Sequence, residues 1–225
     1  TGDELVDVDQ PLAPGQIRNS NGPMLLAAVE TAGVSAINLG VARDDPAELR
    51  AAIAKGLESD VLLVSGGVSA GVKDLAPGIF VDLGVSQEFH QVRIKPGKPL
   101  WFGVYEAAGR RALVFGLPGN PVSTLVSFKL FVEPALATLG GAPFVPPVVA
   151  PAVLAAPVQH RGKRPTYLPC RVTAVDAETG LRAIEGLDWK GSADLATLAR
   201  ADGLAALAEG DYELPAGTAV SMLPL

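Results

Sequence analysis

Apolar and polar positions change their period along this chain. Over residues 15–140, short apolar runs alternate with stretches whose apolar residues recur at helical spacing, the pattern of an α/β architecture. The spacing predicts a helix over 23–31, capped by Asn21 and stopped by Gly33, and a strand over 36–41. A second helix follows, capped by Asp45 with Pro46 at its first position and with Leu49, Ile53 and Leu57 on one face. Residues 61–64 read as a buried strand and 79–83 as a short helix. Strands are expected over 89–94, 100–104 and 112–115, the last two joined as a hairpin around 106–110, and a long helix over 121–139 ends at Gly140 and Gly141.

The pattern breaks near residue 143. Pro143, Pro146, Pro147, Pro151 and Pro157 crowd a stretch expected to hold neither a regular helix nor a central strand. Beyond it, 167–175, 181–185 and 219–223 read as strands and 192–199 as one short helix. The expected architecture is an α/β domain over 1–142 followed by a small all-β, barrel-like domain over 143–225.

Composition narrows the chemistry. The 225 residues carry a net charge of −6 and 5% aromatics, which disfavours nucleic acid, whose binding needs a basic footprint and stacking rings. Charges, Gly or Pro interrupt every apolar run before the roughly 18 residues of a spanning helix, so a soluble protein with no membrane partner is expected. No signal peptide is visible, and the single cysteine, Cys170, fits a reducing, cytoplasmic setting and excludes an internal disulfide. Without a paired His or Asn, Cys170 is expected to be inert. His90 and His160, far apart in sequence, read as strand or surface residues and make no transition-metal site with one cysteine.

Two segments carry candidate chemistry. Residues 60–64 are a strand leading into Ser65-Gly66-Gly67-Val68-Ser69-Ala70-Gly71, with Asp74 three residues on. Gly116-Leu117-Pro118-Gly119-Asn120-Pro121-Val122-Ser123 is a second strand end, glycine loop and helix start. Such loops let backbone N–H groups approach an anion, and open α/β sheets keep ligands at strand ends of this kind. Between them, Arg93, Lys95 and Lys98 concentrate positive charge in an acidic chain.

Thr1-Gly2-Asp3-Glu4-Leu5, Ser20-Asn21, Arg43-Asp44-Asp45-Pro46, Ser65 to Ser69, Lys95-Pro96-Gly97-Lys98-Pro99 and Gly116 to Ser123 occur in an order that resembles the molybdopterin molybdenumtransferase family, the bacterial MoeA proteins and the gephyrin E domain. Gly191 to Leu195 and residues 201–225 resemble that family's C-terminal domain. The resemblance implies a three-layer molybdopterin-binding α/β domain and a β-barrel domain, as a fragment preceded in the family by a strand and two further domains. It implies insertion of molybdate into adenylylated molybdopterin with release of AMP. Because the pterin's own sulfurs hold molybdenum, no Cys or His cluster is required.

By the same resemblance Lys95, Lys98, Pro99, Ser123, Arg164 and Ser192 hold molybdate in a cleft between the domains. Gly66, Gly67, Ser69 and Asn120 cradle phosphate or pterin. Asp74 and Asp3, with Glu4 beside them, serve catalysis, Asp74 and Asp3 by holding Mg²⁺. Arg43, Asp44 and Asp45 position a helix, and Val72 stands where the family often has an acidic residue. The family works as a homodimer whose upstream domains complete the neighbouring site, so the isolated chain is expected to bind weakly and turn over little. Adenylyltransferase-like pterin binding and a gephyrin-like scaffold stay open as alternatives. The adenylyltransferase resembles Gly-Gly-Thr-Gly where this chain has Gly66-Gly67-Val68-Ser69.

Overall fold

A computed structural model describes residues 1–68, 74–107, 109–144, 146–147 and 149–225. The chain divides into two units. The first comprises Thr1–Val92 and Gly97–Phe128, the second Arg93–Pro96 and Lys129–Leu225.

The first unit is built on a mixed four-stranded sheet. Its strands are β3 (Val61–Ser65), β4 (Val85–His90), β5 (Trp101–Ala107) and β6 (Arg110–Leu117), in the order β3-β6-β5-β4. Only β3 and β6 are parallel; β5 pairs antiparallel with both β4 and β6. Helices α2 (Pro46–Gly56) and α3 (Ala76–Asp82) bury Leu49, Ile53, Ile79 and Phe80 against Leu62, Val64, Ala112 and Val114. Alternation along β6 turns Phe115 and Leu117 to the opposite face. Helix α1 (Asn21–Thr31) touches α4 (Pro121–Ser127), which in turn touches β6. A two-stranded parallel ladder, β1 (Leu5–Val6) with β2 (Ile17–Arg18), precedes α1.

Several predicted elements shift for local reasons. No ladder forms over 36–41: Asn38 Oδ1 accepts from the Gly40 amide at 2.9 Å, a side-chain turn that competes with extension, and Ile37 is 77% exposed. Asn21 does not cap α1 but begins it; Ser20 holds the cap position without a side-chain bond. Helix α3 starts three residues early because Pro77 fits a first turn. Strand β4 ends at His90 rather than 94, since Gln91 has φ +80° and Arg93–Pro96 joins the second unit.

The long helix is interrupted. Between α4 and α5 (Glu133–Leu139) lies one π-helical turn, Phe128–Val132. Pro134 has no amide to donate four residues back, and the wider turn absorbs that loss. The run Pro121–Leu139 has 19 residues and mean hydropathy 1.4, long and apolar enough to cross a membrane by length and composition alone, contrary to the expectation from interrupted runs. The buried core helix of a soluble protein meets the same test, and Val122, Val126, Phe128 and Val132 are fully buried.

The second unit closes five strands into a barrel in the order β10-β7-β13-β11-β9. These are β7 (Ala150–Leu154), β9 (Thr166–Val175), β10 (Arg182–Gly186), β11 (Gly203–Leu207) and β13 (Ala219–Pro224). Strands β8 (Val158–Gly162) and β12 (Gly210–Leu214) form a separate antiparallel pair. Leu154, Cys170, Ile184, Leu207 and Met222 fill the barrel's core. Pro151 does lie in a strand, correcting the proline argument. It pairs with Ser221 on one side, while β10 joins β7 only from Ala152 onward, so no ladder bond is lost. The short helix α6 (Leu195–Leu198) is capped by Asp194, not Ser192.

Candidate functional site

In the first unit, the parallel pairing of β3 with β6 brings their C-terminal ends side by side. The Gly66 amide donates to the Leu117 carbonyl at 3.0 Å, and Ser65 Oγ donates to the Pro118 carbonyl at 3.3 Å. Gly66 and Gly67 have φ +87° and +61°, and a Cβ on Gly66 would stand 2.7 Å from the Thr1 carbonyl oxygen. Glycine is therefore required both by conformation and by space. Thr124 Oγ1 lies 2.5 Å from the Pro118 carbonyl and 3.0 Å from that of Asn120, fastening the second loop to α4.

Asn21 joins the two loops. Its Nδ2 donates to Ser65 Oγ and to the Gly119 carbonyl, each at 2.7 Å, while its Oδ1 is buried with no hydrogen-bond partner among the described residues. The sequence reading took Asn21 for a helix cap. Its true partners lie 44 and 98 positions away, and no local pattern announces them. His90 Nε2 meets the Val68 carbonyl at 2.9 Å; a carbonyl only accepts, so Nε2 carries the hydrogen and pins the first glycine loop at Val68.

Asp3 and Glu4 are exposed, and Asp74 is half-buried. Asp3 Oδ1 accepts from the Asp44 amide at 3.1 Å, which ties the first motif to the start of α2. Asp45 caps that helix through Ala47 and Glu48 amides at 3.0 and 2.8 Å, and the Arg43 amide donates to Glu48 Oε1. Among the described residues no three His, Cys, Asp or Glu side chains converge as a metal cluster. Asn120 precedes α4 in extended conformation, exposed and without a side-chain cap, and Ser123 is buried in the helix's first turn. Ser69 and Val72 lie outside the described residues.

The Lys95-Pro96-Gly97-Lys98-Pro99 segment is divided between the units. Lys98 and Pro99 remain with the first, where the Lys98 carbonyl accepts from Val92 and Leu100 amides at 3.0 and 2.9 Å. Lys95 belongs to the second: its amide donates to Pro165 and its carbonyl accepts from Tyr167, both at 2.8 Å, forming a parallel bridge opposite Thr166. Arg164 Nη1 donates to the Ile94 carbonyl at 2.9 Å. Lys95 Nζ stands 6.0 Å from the Trp189 ring centroid, and the Trp189 indole N–H donates to the Gly191 carbonyl beside Ser192. Lys95, Arg164 and the Ser192 turn thus belong to one unit. Amides of Lys190 and Thr197, with the Thr197 hydroxyl, hold the Asp194 carboxyl below its usual range and fix that turn.

Cys170 is fully buried and burial pushes its thiol up to about 12, so it is a core residue. His160 is a strand residue but not a surface one, being only 5% exposed.

The chain is similar to known proteins over its whole length. A family model described as a probable molybdopterin binding domain matches residues 1–138, and one described as the MoeA C-terminal region (domain IV) matches 151–225. A molybdopterin molybdenumtransferase of Nostoc is 36% identical over 227 residues, covering all of this chain and 51% of the relative. Molybdopterin molybdenumtransferase 2 of Mycobacterium tuberculosis is 37% identical over 234 residues, covering 100% and 55%. Two crystal structures of the molybdopterin biosynthesis MoeA protein from Pyrococcus horikoshii superpose with TM-scores of 0.77 and 0.73 at 33% and 25% identity, over 99% and 100% of this chain and 52% of each structure. The chain spans about half the length of the curated relatives it matches.

Proposed function

Because the chain belongs to the molybdopterin molybdenumtransferase (MoeA) family, we propose that it forms the pterin-binding and C-terminal part of an enzyme that inserts molybdate into adenylylated molybdopterin and releases AMP. The observation that carries this reading is the adjacency of two glycine loops at the C-terminal ends of β3 and β6, clamped by Asn21. Gly66, Gly67, Ser69 and Asn120 bind the phosphate and pterin groups. Backbone amides of the loop other than that of Gly66, which already donates to the Leu117 carbonyl, supply the donors. The candidate molybdate ligands are Lys98 and the Ser123 hydroxyl, with Pro99 beside them, on the first unit, and Lys95, Arg164 and the Ser192 hydroxyl on the second, because an oxyanion is best held by charge-assisted N–H and O–H donors.

Asp74 and Asp3, with Glu4 nearby, would hold Mg²⁺, which neutralises charge developing on the leaving phosphate. Their hard oxygen donors fit that ion. Mg²⁺ is commonly held by one or two carboxylates together with substrate phosphates, so a two-carboxylate set suffices without the larger cluster of a structural metal site. The bond from the Asp44 amide orients the Asp3 carboxylate before any ligand arrives. We take the domain boundary near residue 143; the interval between the two matched regions, 1–138 and 151–225, supports that reading, while the compact units divide earlier, after Phe128. The working unit is a cytoplasmic homodimer of the longer protein.

Titration of the full-length protein with adenylylated molybdopterin tests this reading. Saturable binding that is lost in Gly66→Val supports it. Binding that is absent from the wild type removes the enzyme reading and leaves a scaffold.

A further inference from the structure

His160 and Thr166 lie at no glycine loop and bear no charge needed by the reaction, yet both are buried, at 5% exposure each. His160 Nδ1 faces the Gly210 carbonyl at 2.7 Å, and its ring stacks on Tyr212 with centroids 5.0 Å apart. Since a carbonyl can only accept, Nδ1 carries a hydrogen. Nε2 lies 2.9 Å from Thr166 Oγ1, which also stands 3.3 Å from the Arg164 carbonyl. The single hydroxyl hydrogen of Thr166 has two acceptors within reach. A neutral imidazole takes it at Nε2; a protonated one donates to Oγ1 and turns the hydroxyl toward Arg164. Thr166 is held in either state.

Thr166 lies opposite Lys95 in a parallel bridge. The Lys95 amide and carbonyl bond to the residues on either side of it, and the Arg164 side chain reaches back to the Ile94 carbonyl. Residues 93–96 are thus strapped to the start of β9 by two backbone bonds and one guanidinium bond, made by Pro165, Tyr167 and Arg164, the residues that flank Thr166. Arg93 adds bonds to the Lys163 carbonyl and Glu209, but these are exposed.

We infer that His160 and Thr166 are positioning residues for the oxyanion: through the 93–96 strap and the Arg164 backbone they set where the Lys95 ammonium and the Arg164 guanidinium point. The inference rests on the proposed role of Lys95 and Arg164. A buried threonine hydroxyl, locked by a histidine that is itself locked to a carbonyl, allows the strap one register. Preorganised cations bind a dianion without the cost of ordering two long side chains.

The test compares Thr166→Val, which keeps the shape and removes the hydroxyl, with Thr166→Ser, which keeps the hydroxyl. Two quantities are read on the whole chain: hydrogen exchange at the Lys95 and Tyr167 amides, with Ala205 in β11 as internal reference, and calorimetric affinity for sodium molybdate. The expected result for Thr166→Val is exchange faster by about tenfold at Lys95 and Tyr167 alone, with molybdate affinity weaker by about tenfold. Thr166→Ser should restore both. Unchanged exchange, or faster exchange with undiminished molybdate affinity, overturns the inference. If wild type binds no molybdate, the oxyanion role of Lys95 and Arg164 fails, and the positioning role for that substrate is overturned with it; selective exchange at the two amides then shows separately that the strap is fastened by Thr166. Should Thr166→Val not fold, His160→Asn takes its place. Its amide retains the donor to Gly210 and loses Thr166, and the same two readings decide.

Discussion

Asn21 Nδ2 lies 2.7 Å from Ser65 Oγ, across 44 positions of sequence, and the same amide group spans to the carbonyl of Gly119. One side chain at the first residue of α1 therefore sets the spacing of two glycine loops that arrive on different strands. Asn21→Ala should lower stability by about 1–3 kcal/mol, because two acceptors lose their donor in a partly buried place. Asn21→Asp should cost at least as much, since a carboxylate facing the Gly119 carbonyl repels it. Urea denaturation of both variants checks this, and an Asp variant as stable as wild type would contradict the clamp.

Gly66 combines a positive φ with a close neighbour. Gly66→Ala would place a methyl 2.7 Å from the Thr1 carbonyl at φ +87°, whereas Gly217→Ala, at φ +83°, meets nothing within 4 Å. Both variants carry left-handed strain of about 1–2 kcal/mol. Only the first adds a steric conflict, so its melting temperature should fall further and its pterin binding should weaken. Equal losses would mean that the close approach is relieved at no cost.

The Cys170 thiol is raised by burial to about 12 from 9.0. The folded protein holds the proton more tightly than the unfolded chain, so this contribution is full below the unfolded value and is lost as pH rises toward the folded one. Wild type should lose stability relative to Cys170→Ala as pH rises from 9.0 toward about 12. The native thiol should also resist iodoacetamide at pH 8 until denaturant is added. Rapid native alkylation would show that the barrel core opens.

Removing the two cations Lys95 and Lys98 together should abolish molybdate binding and leave the fold intact, each charge-assisted bond being worth about 1.5–3 kcal/mol. Calorimetry on Lys95→Ala/Lys98→Ala, with circular dichroism for the fold, is the check. Undiminished affinity would assign the oxyanion elsewhere.

Where the sequence was legible, the signal was local. Asp45 followed by Pro46 and Glu48 names a helix start because all its bonds span two or three residues. The second glycine loop was legible because strand, glycine turn and helix follow one another directly, β6 ending at Leu117 and α4 beginning at Pro121. Asn21 was misread because its partners come from remote strands. Lys95 and Lys98 read as one patch; only two residues lie between them, and the division of the chain into its two units falls there, which spacing does not show. The pairing of His160 with Thr166 is illegible for the same reason: neither residue type nor interval marks a buried pair on strands β8 and β9.

The proposed Mg²⁺ role of Asp74 is tested on the chemistry itself. Asp74→Asn conserves volume and removes charge, so the full-length protein should still bind pterin but release AMP at least about tenfold more slowly, about 1.4 kcal/mol in barrier. The measurement that tests the central claim most directly is AMP release by the full-length wild-type protein, given adenylylated molybdopterin with and without Mg²⁺ and molybdate. Release that requires both is the predicted result. Tight pterin binding with no release under any of these conditions, or release indifferent to molybdate, would contradict it.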